Sequence, residues 1–397
     1  MKRSEAPATT GKFLNAFEDG ETIVTYYRDA DGKLHRRVQR SEYVSFLACD
    51  DLDEATRREL RTTRVVRSFT QVGSFFRVSW MNHNVRERIH HPEGPFAKRE
   101  LQTYEGEVDP VRRWLTDHPA IGIQKPRGCF LDIEADSRVP FATKRTARML
   151  CWAVVDAITG EVMRGLLAED EDPDEKRLVN ELWAVLERYD QVIAWNGERF
   201  DFGYVAARSA HHCIPVDPRR WLWLDHMLLF KRMNITASES GEEKQSFALD
   251  RVGKVVVGEG KIKFDEEELE ELDIDTEQSL GGQSWELWER APQMLLEYCS
   301  RDATLMRDIE ERTGFIEVLF AVCEACTVFP NTRGTWPSQQ VDSFLLRLAA
   351  QRGVRFKSRV RSNTDEIQFK GANVEDVRKG LTREEVHVVD FAGMYPS

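Results

Sequence analysis

Asp132-Ile133-Glu134 sets two carboxylates two positions apart in the apolar run 129–134. On a strand, residues i and i+2 face the same way, so both acids leave one face while Leu131 and Ile133 bury on the other. Like charges that close raise each other's pKa, and a divalent cation relieves the repulsion; a solvated strand face is the plain alternative. A third acid, Asp201, follows the strand-like run 192–195 through Asn196-Gly197-Glu198-Arg199-Phe200. That places it at the rim of a sheet, where ligands bind in open α/β folds, although an Asp there could equally cap a helix. The fourth, Asp302, comes one helical turn after Tyr298, so phenol and carboxylate share one face of a helix. Leu295, Cys299, Ala303 and Met306 occupy a different face, and a surface Tyr–Asp pair or a salt bridge through Arg301 would carry the same pattern. Together, four carboxylates from a strand, a strand-end loop and a helix could converge on two Mg²⁺ ions about 4 Å apart, the arrangement that holds a phosphodiester and acidifies a bound water. The Tyr298 phenol could then orient that water.

The elements that must position these groups are legible in the same region. Residues 129–134, 149–155, 162–167 and 192–195 are strand-like, and Ile158-Thr-Gly-Glu161 between the second and third predicts a hairpin turn. Residues 174–189 place Leu178, Leu182, Val185, Leu186 and Tyr189 on one helical face. Residues 285–312 are helical, with Pro292 able to open a second helix as its first residue. Strand, hairpin, helix, strand, helix in that order implies an α/β fold, a mixed sheet flanked by helices. Residues 1–125 read as a mixed α+β N-terminal domain with strands at 22–27 and 74–80, and 338–353 as a further helix.

Composition bounds the alternatives. The chain of 397 residues is long enough for two or three domains, and an apolar content of 41% is that of an ordinary globular protein. The mean hydropathy of −0.50 agrees. No apolar run approaches a membrane span and residues 1–13 hold no signal-peptide core, so the expectation is an intracellular protein without membrane contact. Seven separated Cys suggest free thiols; the one CxxC, Cys323-Glu-Ala-Cys326, lacks a second ligand pair. With 56 Lys and Arg against 68 Asp and Glu the net charge is −12. That argues against nucleic-acid binding through bulk positive charge, but not against phosphate held through metal ions. The acidic run 265–273 reads as a solvated surface segment.

Asp132-x-Glu134, Asn196-x3-Phe200-Asp201 and Tyr298-x3-Asp302 resemble the three exonuclease motifs of family B DNA polymerases, which belong to the DEDDy class of 3′–5′ exonucleases with an RNase H-like fold. The resemblance implies that Asp132, Glu134, Asp201 and Asp302 bind the metals and that Tyr298 positions the water. It also implies that Asn196 and Phe200 support the bound 3′ end, Phe200 by packing on the terminal nucleotide. Tyr104-Glu-Gly-Glu-Val-Asp109 is similar to the segment that precedes the exonuclease domain, with Gly106 and Glu107 in place of the usual Ala-Asp. Ser246-Phe-Ala-Leu249 with Val252 is similar to the helix before the third motif. Phe369-Lys-Gly371-Ala372 resembles the linker motif between exonuclease and polymerase domains, with Phe for Tyr, and Asp390-Phe-Ala-Gly-Met-Tyr395-Pro-Ser397 resembles polymerase motif A, with Met394 for Leu. By that likeness Asp390 binds the polymerase-site metals and Tyr395 lies under the incoming sugar.

The expected organisation is therefore an N-terminal domain at 1–125, a 3′–5′ exonuclease domain at 126–325, a linker at 326–386 that returns to the N-terminal domain, and the first strand of a polymerase palm at 387–397. Motifs B and C are not in the sequence, which leads to the expectation of a C-terminal partner fragment, through a split gene, an intein or a truncation. The implied cofactor is Mg²⁺, two ions per site, with Mn²⁺ as a substitute; the implied partner is DNA, as a single-stranded 3′ end and as primer-template. Candidate phosphate contacts are Arg138, Lys144, Arg145, Lys357, Arg359 and Arg361. Two further readings stay open here: a non-catalytic structural half of a polymerase assembly, and a stand-alone nuclease of the DEDD class.

Overall fold

The structure is a computed structural model that describes residues 8–358 except 92, 140–144, 234–245 and 275–279. The chain divides into two units, Met1–Arg359 and Val360–Ser397, the second outside the described residues. Arg359, Arg361, Phe369, Gly371, Asp390 and Tyr395 therefore lie outside them, as does Lys144.

The centre of the first unit is a five-stranded mixed sheet. Its strands are β1 (Gly128–Ala135), β2 (Met149–Asp156), β3 (Val162–Leu166), β4 (Gln191–Ala194) and β5 (Leu222–Asp225), in the order β3-β2-β1-β4-β5. β1 and β2 pair antiparallel, as do β2 and β3, whereas β4 runs parallel to β1 and to β5. Nearly every residue of β1, β2 and β4 is buried, the signature of strands covered on both faces. The turn between β2 and β3 closes as expected. The Asp156 carboxylate accepts from the amides of Ile158 at 2.9 Å and Thr159 at 2.8 Å, and Gly160 takes the left-handed φ of +73° that a side chain would resist.

Helices cover the sheet. α1 (Asp172–Leu186) carries Asp172, Asp174 and Glu175 in its first turn, where acids meet the positive end of the helix dipole, and buries Leu178, Val179, Leu182, Trp183 and Leu186. The expected helix at 174–189 thus starts two residues earlier, because Pro173 fits the first turn. α2 (Asp201–His211) follows β4 and α3 (His226–Met233) follows β5. α4 (Leu249–Val256) begins only at the last residue of the 246–249 stretch. The acidic run corrects one expectation: Glu266–Glu271 is a short helix, α5, whose Leu269 packs into the main core together with Ile274. The unbroken acidity of the run had hidden these two apolar anchors.

α6 (Ser284–Arg290) and α7 (Pro292–Thr313) break at Ala291, and Gly314 ends α7 with a left-handed φ of +63°. α7 lies across β1 and β2 with Leu295, Cys299, Ala303, Leu305, Met306 and Ile309 buried. α8 (Phe315–Cys326) and α9 (Pro337–Gln351) complete the unit. All seven thiols are free, and the pair Cys323/Cys326 joins no metal-ligating group among the described residues.

The N-terminal residues form a mixed α/β arrangement. Asn15–Asp19, Thr22–Arg28 and Leu34–Arg40 make a three-stranded antiparallel sheet. Val66–Val72, Phe75–Trp80, Tyr43–Ala48 and Thr103–Tyr104 make a four-stranded one. After α9 the chain comes back to this second sheet: Tyr104 bridges Lys357, and the Ser358 amide donates to the Thr103 carbonyl at 2.9 Å. No helix among the described residues is long and apolar enough to cross a membrane.

Candidate active site

β1 is the central strand of the sheet, and Asp132 and Glu134 leave the same face of it. Their antiparallel neighbours on β2 are Ala153 and Cys151, small enough to leave room above them, and the register shifts between Glu134 and Ala135. An irregularity at that point re-aims the chain just where the acids must be delivered. α7 packs over this face and brings in Asp302, 2% exposed, with Tyr298 one turn earlier at 6%. One carboxylate oxygen from each of Asp132, Glu134 and Asp302 lies within 4.8 Å of the others. Residues separated by 170 positions are thus brought together by one strand and one crossing helix.

Asp201 is the first residue of α2, following Phe200 at the cap position, and is buried. It is not part of the tight three-acid group, yet its charge acts on Asp132 and that of Glu134 acts on it. Burial, with Glu134 and Asp225 added, pushes its carboxyl up to about 8. Asn196, at the end of β4, adopts a left-handed φ of +62°, which Asn tolerates better than most side chains. The turn from Asn196 to Asp201 is pinned by Asp225 at the end of β5, whose carboxylate accepts from the Glu198 amide at 3.2 Å and the Leu228 amide at 3.0 Å. Phe200 is half-buried on this turn, its ring 5.2 Å from that of Tyr204.

The electrostatics are those of an acid cluster built for cations. Burial and the charges of Asp302, Glu134 and Asp201 hold the Asp132 carboxyl far above its ordinary range, and burial raises Asp302 against the lowering effect of Lys261. Asp132 Oδ2 and Asp302 Oδ1 are buried without a hydrogen-bond partner, a costly state for carboxylate oxygens unless something positive meets them. Hard carboxylate oxygens suit Mg²⁺ or Mn²⁺, so the residues present fit the implied ions.

One cation is already there, and the motif spacing did not announce it. Lys261, in the turn after α4, contacts Asp302 Oδ2 with its ammonium and donates to the Tyr298 hydroxyl at 2.9 Å. Burial opposes its charge, but Asp302, Tyr298 and Asp132 outweigh that and hold the ammonium above its ordinary pKa. Burial, then Asp302, pushes the Tyr298 phenol up as well, so it stays protonated. The sequence signal for Lys261 was slight: a lysine in Gly258-Glu-Gly-Lys-Ile-Lys263, a polar stretch without periodicity. Ser284 was missed too; its hydroxyl donates to Glu134 Oε2 at 2.7 Å.

Of the expected phosphate contacts, Arg138 is engaged elsewhere. It makes a bidentate pair with Asp136 and lies over the Trp285 ring at 3.2 Å from its centre. Arg145 and Lys357 are exposed.

Residues 129–258 match the family model of the RNase H superfamily. The five-stranded sheet and its helices have that fold, and the acids lie on it. The same architecture occurs in the family B DNA polymerase from the hyperthermophilic archaeon Pyrobaculum calidifontis, whose structure is similar with a TM-score of 0.63 at 17% identity, over 87% of this chain and 51% of that one. The chain thus spans about half the length of the polymerase it matches. No curated protein matches the sequence.

Proposed function

We propose that this chain is a part of a family B DNA polymerase that carries a proofreading 3′–5′ exonuclease, hydrolysing the terminal phosphodiester of a single-stranded 3′ end. The observation that carries the reading is the gathering of Asp132, Glu134 and Asp302, with Tyr298 one turn away, over the central strand of an RNase H-like sheet. In it, Asp132, Glu134, Asp201 and Asp302 hold two Mg²⁺ ions, or Mn²⁺ in their place. Bound there, such ions neutralise phosphate charge, lower the pKa of water and stabilise the leaving oxygen.

The chain's own groups do the rest. Tyr298, kept protonated, holds the attacking water by a hydrogen bond and does not act as a base. Lys261 shares its charge between Tyr298 and Asp302, offsets part of the burial that raises the Asp302 carboxyl, and supplies a fixed positive charge beside the acids, where a phosphate would gain negative charge. Asn196 and Phe200, on the turn that presents Asp201, grip the terminal nucleotide. Such an enzyme works inside the cell, where its DNA is. In the same reading Phe369, Gly371, Asp390 and Tyr395 serve a polymerase site completed by motifs B and C in a C-terminal part.

A purely structural role is disfavoured by the two orphaned carboxylate oxygens, because a site without cations gains nothing from burying them. The test is a single-stranded oligonucleotide labelled at its 3′ end, incubated with the chain and Mg²⁺. The expected result is release of labelled mononucleotide by the wild type and its loss in Asp132→Ala with unfolding temperature retained. Equal release by both proteins would refute the assignment.

A further inference from the structure

We propose that Ser284 is a positioning residue for the metal-binding carboxylate of Glu134. The inference rests on the reading of Glu134 as a ligand. Ser284 is fully buried at the first turn of α6, and its hydroxyl donates to Glu134 Oε2 at 2.7 Å. Ser284 is the first residue of α6, after Gln283 at the cap position, and its hydroxyl reaches across to β1. A bond from a neutral donor to a carboxylate is stronger than one between neutral groups, and it selects the rotamer in which Glu134 faces Asp132 and Asp302.

The helix that carries Ser284 is itself fastened to the end of β1. The Trp285 amide donates to Ser137 Oγ at 3.1 Å, and Ser137 Oγ lies 3.3 Å from the Glu286 carboxylate. The Trp285 ring lies under the Arg138 guanidinium, which Asp136 holds with bonds of 3.0 Å and 2.7 Å. Residues 136–138 and the start of α6 therefore form one brace. Within it the serine hydroxyl keeps a fixed direction, and Arg138, read from sequence as a phosphate contact, is a strut of that brace. Groups that orient a metal ligand in this way are worth about 10- to 100-fold in metal affinity when removed.

The experiment titrates the full chain with Mn²⁺ and follows free Mn²⁺ by electron paramagnetic resonance, without DNA. The proteins are wild type, Ser284→Ala, Ser284→Cys, Glu134→Gln and the double variant Ser284→Ala/Glu134→Gln. Ser284→Ala should weaken Mn²⁺ binding about tenfold or more. Ser284→Cys, similar in size but a weak donor, should fall between it and wild type. In the Glu134→Gln background Ser284→Ala should add nothing, because the two act through one carboxylate. Wild-type affinity in Ser284→Ala, or an equal loss in both backgrounds, would overturn the inference. Should Glu134→Gln itself bind Mn²⁺ like wild type, the ligand reading of Glu134 fails, and this inference with it.

Discussion

Lys261 sets the charge balance of the site. Three acids crowd within 4.8 Å of one another, and the ammonium offsets part of that crowding before any ion arrives. Replacing Lys261 with Met keeps the apolar stem and removes the charge. Turnover on a 3′-labelled single strand should fall about 100-fold, the scale of removing one preorganised charge partner. Mn²⁺ should bind as tightly or more tightly, since nothing then competes for Asp302; an unchanged rate would reduce Lys261 to a space filler. The acids also set a pH dependence. Asp132, Asp201 and Asp302 titrate above their ordinary value of 3.8, Asp201 near 8. The folded state then keeps protons that the unfolded state has released, so the stability these three groups contribute without metal is present at low pH and is lost as pH rises through their raised values. Mg²⁺ replaces those protons, so the rise in melting temperature on adding it should grow from pH about 5 to pH about 8. A Mg²⁺ shift that is flat with pH would contradict the raised carboxyls. Asp132, Glu134, Asp302 and Tyr298 were legible in the sequence because strand and helix periodicities fix which side chains share a face; Asp201 was readable only from its place after a strand. Lys261 and Ser284 were not, because each arrives from an irregular segment whose path only the packed fold decides.

Among the elements, α1 and α2 are joined to β2 by a buried charge cluster. Glu175 is fully buried; it pairs with Arg208 at 2.5 Å and His212 at 2.9 Å and accepts from the Met149 amide at 2.9 Å. Those partners lower its pKa against the effect of burial. Glu175→Ala would strand Arg208, 4% exposed, with a charge and no acid. The expected loss is about 3–5 kcal/mol, measured by urea unfolding; a loss within ordinary surface values would show that the cluster is not what fastens the two helices. In 126–325, β5, α2, α3 and α8 were not singled out; β1–β4, α1, α6 and α7 were readable, because apolar residues recur there with clean periods. The short helix α5 was not, since two apolar anchors in a run of acids carry no period. The partners of Arg138 were hidden for a related reason: composition marks an arginine only as a candidate phosphate contact, while its pair with Asp136 and its seat over Trp285, far along the chain, appear only in the packed fold.

On the scale of the whole molecule, a net charge of −12 means that DNA is not drawn in by the surface at large. Affinity for a single-stranded 3′ end should depend on the ions in the acid cluster. Fluorescence anisotropy should show tighter binding in Ca²⁺ than in EDTA, and the slope with monovalent salt should count the phosphates that Lys and Arg neutralise, expected to be few for a chain of net charge −12. Binding that is equal in Ca²⁺ and EDTA would mean that the strand is held somewhere else. The claim beneath all of this is that Asp132, Glu134, Asp201 and Asp302 form a place for divalent cations over the central strand. Anomalous diffraction from crystals grown with Mn²⁺ tests it most directly. The account predicts a peak bounded by Asp132, Glu134 and Asp302, with the Lys261 ammonium displaced from Asp302 or sharing it. Mn²⁺ found only at other acids, with this cluster empty, would contradict it.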